Sequence, residues 1–113
     1  MATRLLLDAW DILGEVARST GKITYSKLAE RLTKLGHRVI ARNMGQRVLD
    51  PLFDTVTNPN DYPVISALVV RKDRGYPGDG WWGSGEPVDL KEWKDELEWC
   101  WAFNWPKVPP GIS

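Results

Sequence analysis

The sequence is poor in the residues that most reaction chemistry needs. It holds a single cysteine, Cys100, and a single histidine, His37. A structural disulfide takes two thiols, a zinc site takes several Cys, His or carboxylate ligands at close spacing, and a Cys or Ser nucleophile needs an imidazole beside it. No metal site and no cofactor is therefore read from the chain, and it is expected not to be an enzyme. His37 follows Gly36 at a turn signal and reads as an exposed turn residue. Cys100, flanked by Trp99 and Trp101, reads as a packed thiol.

Long hydrophobic runs are missing as well. The early apolar run Leu5 to Leu7 stops at Asp8, which does not make a signal peptide, and no stretch approaches the roughly 20 residues of a membrane-spanning helix. The expectation is a cytoplasmic protein without a membrane partner. Net charge is also absent, because fifteen Lys plus Arg face fifteen Asp plus Glu. That excludes a polycationic nucleic-acid binder.

The zero resolves along the chain. Residues 1–50 carry nine basic and five acidic groups, and residues 51–113 carry six basic and ten acidic. Between Lys22 and Arg47 seven basic side chains face only Glu30, whereas Glu86 to Glu98 holds six carboxylates and two lysines. A basic stretch of this kind suits a phosphate footprint as well as it suits a solvated helix face.

What is present in excess is tryptophan, at seven of 113 residues, within a 42% apolar and 27% charged composition typical of a globular chain. The length fits one domain, expected over residues 1–105 with a Pro-rich tail at 106–113. Leu6, Trp10, Leu13 and Ala17 share one helical face, and Thr20-Gly21 ends that helix. Thr24 is a suitable N-cap for a second helix carrying Leu28, Ala29, Leu32 and Leu35, with Gly36 as its stop. A third helical pattern starts near Arg38 or Val39 and repeats at Ile40, Met44, Val48 and Leu52, with Pro51 late in it. Arg38 and Arg42 lie one turn apart on another face. The three together suggest a helix-turn-helix.

Val64 to Val70, rich in β-branched residues, reads as a buried strand. Arg71 to Gly85 is a basic, aromatic, glycine-rich loop or hairpin. Asp89 and Glu92 have capping-box spacing and open a last helix, with Leu90, Trp93, Leu97, Cys100 and Trp101 facing the core.

This order of elements resembles a known family. A helix, then Ile23-Thr24-Tyr25-Ser26-Lys27-Leu28-Ala29, then Arg42-Asn43-Met44-Gly45, an apolar strand ending Val69-Val70, a glycine-rich loop and Leu90-Lys91-Glu92-Trp93 is similar to the C-terminal winged-helix domain of the alkylguanine-DNA alkyltransferases and alkyltransferase-like proteins. That family reads SYGELA, RAVG, PCHRVV and KEWLL in the same order, and the likeness spans about Trp10 to Leu97. It implies an α+β winged helix-turn-helix with a short β-sheet, a Gly/Trp-rich wing loop and a C-terminal helix. It also implies that Tyr25 presses on a phosphate during base flipping and that Arg42 fills the gap left in the stack. The family's reactive Cys, His and Arg align with Ser66, Ala67 and Leu68, so alkyl transfer is excluded. The connection from Asp54 to Tyr62 is longer than the family's.

The expected function is therefore non-catalytic binding of duplex DNA, with a flipped or modified base as a candidate ligand. Thr24, Tyr25, Lys27, Arg38, Arg42, Arg47, Arg71, Lys72 and Arg74 are the candidate DNA-binding residues. Tyr76, Trp81 and Trp82 are candidates to stack on a base, or else they cover the edge of the sheet. The alternative is a small adaptor, immunity or inhibitor module that binds a protein partner, such as a nucleic-acid-processing enzyme, through its Trp-rich, acidic C-terminal face. Carboxylate pairs such as Asp79 with Glu86 and Glu92 with Glu96 read as solvated, and Gly78-Asp79-Gly80 lacks the strand-to-helix setting of a dinucleotide loop.

Overall fold

The computed structural model describes residues 4–54, 62–78 and 87–107. Helix α1 (Arg4–Arg18) is followed by the short strand β1 (Ile23–Thr24) and by α2 (Tyr25–Lys34). A third helical segment begins with a 3₁₀ turn at Ala41–Asn43, passes through a π turn at Gly45–Leu49 and ends as α3 (Asp50–Asp54). A second 3₁₀ turn, Ile65–Leu68, leads into β2 (Val69–Val70), and α4 (Leu90–Ala102) closes the chain. Among the described residues the fold is predominantly helical, with one small sheet. β1 and β2 pair in parallel, Ile23 opposite Val69 and Thr24 opposite Val70. Parallel neighbours need a long crossover, and α2 with the third helical segment supplies it. Among the described residues no helix is long and apolar enough to cross a membrane.

Helix α1 is the hub, touching α2, the π turn, α3, α4 and the turn Ile65–Leu68. Its sequence explains this, because Leu6, Ala9, Trp10, Ile12, Leu13, Val16 and Ala17 are all buried, a stripe wide enough to serve two layers. The helix ends in a Schellman pair: Thr20 N–H donates to Ala17 C=O at 3.0 Å and Gly21 N–H to Val16 C=O at 3.0 Å. The left-handed position is held by Thr20, at φ 56°. α2 ends the same way with the residue such a turn favours: Gly36 at φ 97° donates to Thr33 C=O, and His37 N–H donates to Leu32 C=O. Leu35 caps this end and is exposed rather than part of the buried face.

His37 is not the open turn residue that its sequence neighbours imply. Its side chain is 15% exposed, and its Nε2 lies 2.7 Å from Asp8 Oδ2 on α1, an acid that also pairs with Arg4. The Gly36 turn folds the ring back onto α1, a contact between residues 29 apart in sequence.

The third helical segment starts at Ala41, later than the periodicity implies, where Asn43 Oδ1 accepts from Ile40 N–H at 3.1 Å. Its π turn has a local cause. In an α-helix the Pro51 ring would press on the Arg47 carbonyl four residues back. Widening the helix so that Asp50 N–H reaches Gly45 C=O relieves that clash.

Val64 to Val70 is buried throughout, but only its last two residues form a strand. α4 overrides the β propensity of the rest by bonding its backbone. Glu96 Oε2 accepts from Val64 N–H at 2.7 Å, Cys100 Sγ donates to Val64 C=O at 3.4 Å, and Trp93 Nε1 donates to Ala67 C=O at 2.9 Å. Asp89 caps α4 as its spacing implies, accepting from Lys91 and Glu92 N–H at 2.9 and 3.1 Å. Leu90, expected in the core, is 52% exposed, and the buried face of α4 begins at Trp93.

The described tryptophans are largely internal. Trp10 packs edge-on against Trp105 with ring centroids 5.4 Å apart and donates to Pro106 C=O at 2.7 Å. Trp93, Trp101 and Trp105 donate to Ala67, Gly21 and Cys100 carbonyls, each at 2.9 Å. A buried aromatic whose N–H is satisfied is worth roughly 3–5 kcal/mol against truncation to Ala. Four of the five described tryptophans thus help to seal a small core.

Candidate nucleic-acid interface

Three elements converge on one open cleft of about 620 Å³. The start of α2 contributes Tyr25 and Ser26, the third helical segment contributes Ala41, Arg42 and Gly45, and the turn after β2 contributes Arg71, Lys72 and Asp73.

Each wall is fixed by local chemistry. Thr24 both ends β1 and caps α2, its Oγ1 accepting from Lys27 N–H at 3.0 Å, which sets Tyr25 and Ser26 as the first helical residues. Its hydroxyl is committed to this cap. After β2 the chain reverses: Arg71 C=O accepts from Arg74 and Gly75 N–H at 3.3 and 2.8 Å, and Arg71 N–H donates to Tyr76 C=O at 2.8 Å. Gly75 stands at φ 79°, the left-handed conformation that this tight turn needs. Gly78 N–H then donates to Tyr25 Oη at 3.1 Å, joining the turn to α2.

Small residues keep the cleft open. A Cβ on Gly45 would meet nothing within 4 Å, so this glycine faces free space and no neighbour requires it for packing. Ala41, four residues earlier, lies on the same face, with Arg42 beside it. The adjoining π turn is a feature that concentrates at functional sites.

The cleft is cationic. Among the described residues Arg42 and Lys72 have no hydrogen-bond or ion-pair partner, while Arg71 holds Asp73 through Nε–Oδ1 at 3.1 Å and Nη2–Oδ2 at 3.2 Å. Burial pushes the Tyr25 hydroxyl above its usual range, and the Gly78 N–H and the nearby Arg71 charge pull the other way. The hydroxyl therefore stays protonated near neutral pH. The Gly78 N–H uses one lone pair of this hydroxyl and not its proton.

Of the residues singled out from sequence, Tyr25, Arg42, Arg71 and Lys72 come together here. Lys27 is exposed on α2 and pairs with Glu30 at 3.7 Å. Arg38 and Arg47 stand apart from the lining, the Arg47 guanidinium donating to the Arg38 carbonyl. Arg74 lies over the Tyr76 ring at 5.6 Å, and that ring is half-buried, 6.3 Å from Trp93. Trp81 and Trp82 lie outside the described residues. Ser66 is buried in the turn Ile65–Leu68, away from the cleft lining.

Ser26, Ala41, Gly45 and Asp73 belong to the cleft but were not singled out as site residues. The signal for Ser26 and Gly45 was their place in the two segments that resemble the family's motifs, beside Tyr25 and Arg42. Comparisons with protein-family models, with curated proteins and with solved structures find no match to the chain.

Proposed function

We propose that the chain is a non-catalytic DNA-binding protein of winged-helix plan, similar to alkyltransferase-like proteins, that takes a backbone phosphate or a flipped base into this cleft. The observation that carries the reading is the convergence of Tyr25, Arg42, Arg71 and Lys72, from three separate elements, on one open cavity. Two unpartnered cations and a protonated phenol give the lining an excess of donors, which suits phosphate oxygens, while its carboxylate, Asp73, is engaged by Arg71. Arg42 is exposed on the third helical segment and lines the cleft, which supports its reading as the residue that enters a groove or a gap in the stack. The lining contains no imidazole or thiol, and its one carboxylate bonds Arg71 rather than either hydroxyl.

A duplex-binding titration at increasing salt tests this. Affinity falls by orders of magnitude between about 50 and 200 mM salt if several phosphates are contacted. Arg42→Ala weakens binding and flattens the logarithmic salt slope by about one. Absence of a salt-dependent interaction with duplex, mismatched and single-stranded DNA overturns the reading.

One observation favours the second reading, a protein-binding module. α4 exposes Trp99 at 40% together with Leu90, Glu92, Asp95 and Glu98. Against it, Trp10, Trp93, Trp101 and Trp105 are spent on internal bonds, leaving one described tryptophan for a partner.

A further inference from the structure

We propose that Asp73 is a built-in competitor for the anion that the cleft takes, holding the Arg71 guanidinium until a phosphate displaces it; this rests on reading the cleft as a nucleic-acid site. The geometry is a two-point one, with Arg71 Nε and Nη2 each facing a different Asp73 oxygen at 3.1 and 3.2 Å. A phosphate occupies the same face of a guanidinium in the same bidentate manner, so the two anions exclude each other there.

The contact is imposed by the chain. Arg71 C=O accepts from Gly75 N–H, and Gly75 takes a positive φ, closing a turn that brings residue 73 back over residue 71. At the same time the pair is weak, because the Arg71 and Asp73 side chains are 43% and 63% exposed and water screens them. A weak intramolecular pair that re-forms at once, because its members are two residues apart, is suited to exchange. Arg42 and Lys72 have no such partner among the described residues, so the cleft has two standing cations and one conditional cation. DNA would be met by Arg42 and Lys72 and gripped by Arg71 only after Asp73 leaves, so Asp73 shortens the residence time.

The test measures binding of a fluorescein-labelled DNA duplex by anisotropy for wild type, Asp73→Asn, Arg71→Ala and the double variant, each confirmed folded by its thermal melt. Asp73→Asn is expected to bind about two- to fivefold more tightly at low salt, mainly through slower dissociation, with the gain shrinking as salt screens both the pair and the Asp73–phosphate repulsion. The gain is expected to shrink markedly when Arg71 is already Ala, because only the Asp73–phosphate repulsion is then left to relieve. Equal or weaker binding by Asp73→Asn, with wild type binding normally, overturns the proposal and shows Asp73 to be a support that orients Arg71. A gain of the same size without Arg71 also overturns it. If neither wild type nor Asp73→Asn binds duplex, the cleft reading fails and this inference with it.

Discussion

The hydroxyl of Tyr25 accepts a hydrogen bond from the backbone N–H of Gly78 at 3.1 Å, across 53 residues of sequence. This bond ties the first turn of α2 to the far end of the turn that carries Arg71, Lys72 and Asp73. A Cβ on Gly78 would lie 3.6 Å from that hydroxyl and 3.7 Å from Arg71 Cδ, so the phenol, the glycine and the arginine pack as one unit. Tyr25 is thus a strut of the cleft, through a bond that leaves its hydroxyl proton unused.

Tyr25→Phe probes both the bond and the proton. Loss of the acceptor leaves the Gly78 N–H half-buried and unpaired, which costs about 1 kcal/mol in a urea unfolding curve. Because burial raises the hydroxyl above its usual range, the unfolded state ionises first on the alkaline side. Stability therefore falls as pH rises through about 10, and Tyr25→Phe removes that fall. Duplex affinity of the folded variant drops if the phenol donates to phosphate. Unchanged affinity would leave Tyr25 as a strut only.

Thr20 offers a test of the backbone. A β-branched residue at φ 56° crowds its own carbonyl, whereas glycine adopts this conformation freely. The steric relief of about 1–2 kcal/mol is partly offset by the greater freedom of glycine in the unfolded chain. Thr20→Gly is expected to stabilise the protein by about 0.5–1 kcal/mol, raising Tm by a few degrees, with no change in duplex binding. A loss of stability would show that the Thr20 side chain makes up for its strained backbone.

These particulars also show which features are legible in sequence. Caps and stops are local, so Thr24, Gly36 and Asp89 could be placed from their neighbours alone. Strand content was not, because the fate of Val64 to Leu68 is decided by Trp93, Glu96 and Cys100, some thirty residues away, whose side chains bind its backbone. The cations of the cleft stand out as basic residues near aromatic or glycine signals. Asp73 does not, because in a charge count it only subtracts from the basic loop. Its meaning depends on the turn that folds it onto Arg71. Likewise His37 gains its partner only when α2 packs on α1.

Glu96 and Cys100, one turn apart on α4, clamp the two polar groups of Val64: the carboxylate accepts from its N–H and the thiol donates to its carbonyl. Burial raises Glu96 above its ordinary 4.5, with the Val64 N–H opposing, and burial together with the Glu96 charge pushes the Cys100 thiol far above its usual range. Since folded Glu96 holds its proton more tightly than unfolded Glu96, the folded state gains stability as pH falls through the raised value towards 4.5 and loses it again as pH rises. Glu96→Gln keeps an acceptor for Val64 without the charge. It is expected to match wild type near pH 4.5 and to exceed it near neutral pH by roughly a few tenths of a kcal/mol, a modest figure because the carboxylate is partly open to water. Urea midpoints at the two pH values measure this. A Glu96→Gln variant less stable than wild type at neutral pH would mean that the charge-assisted bond to Val64 outweighs the desolvation of the carboxylate, reversing the sign assigned here.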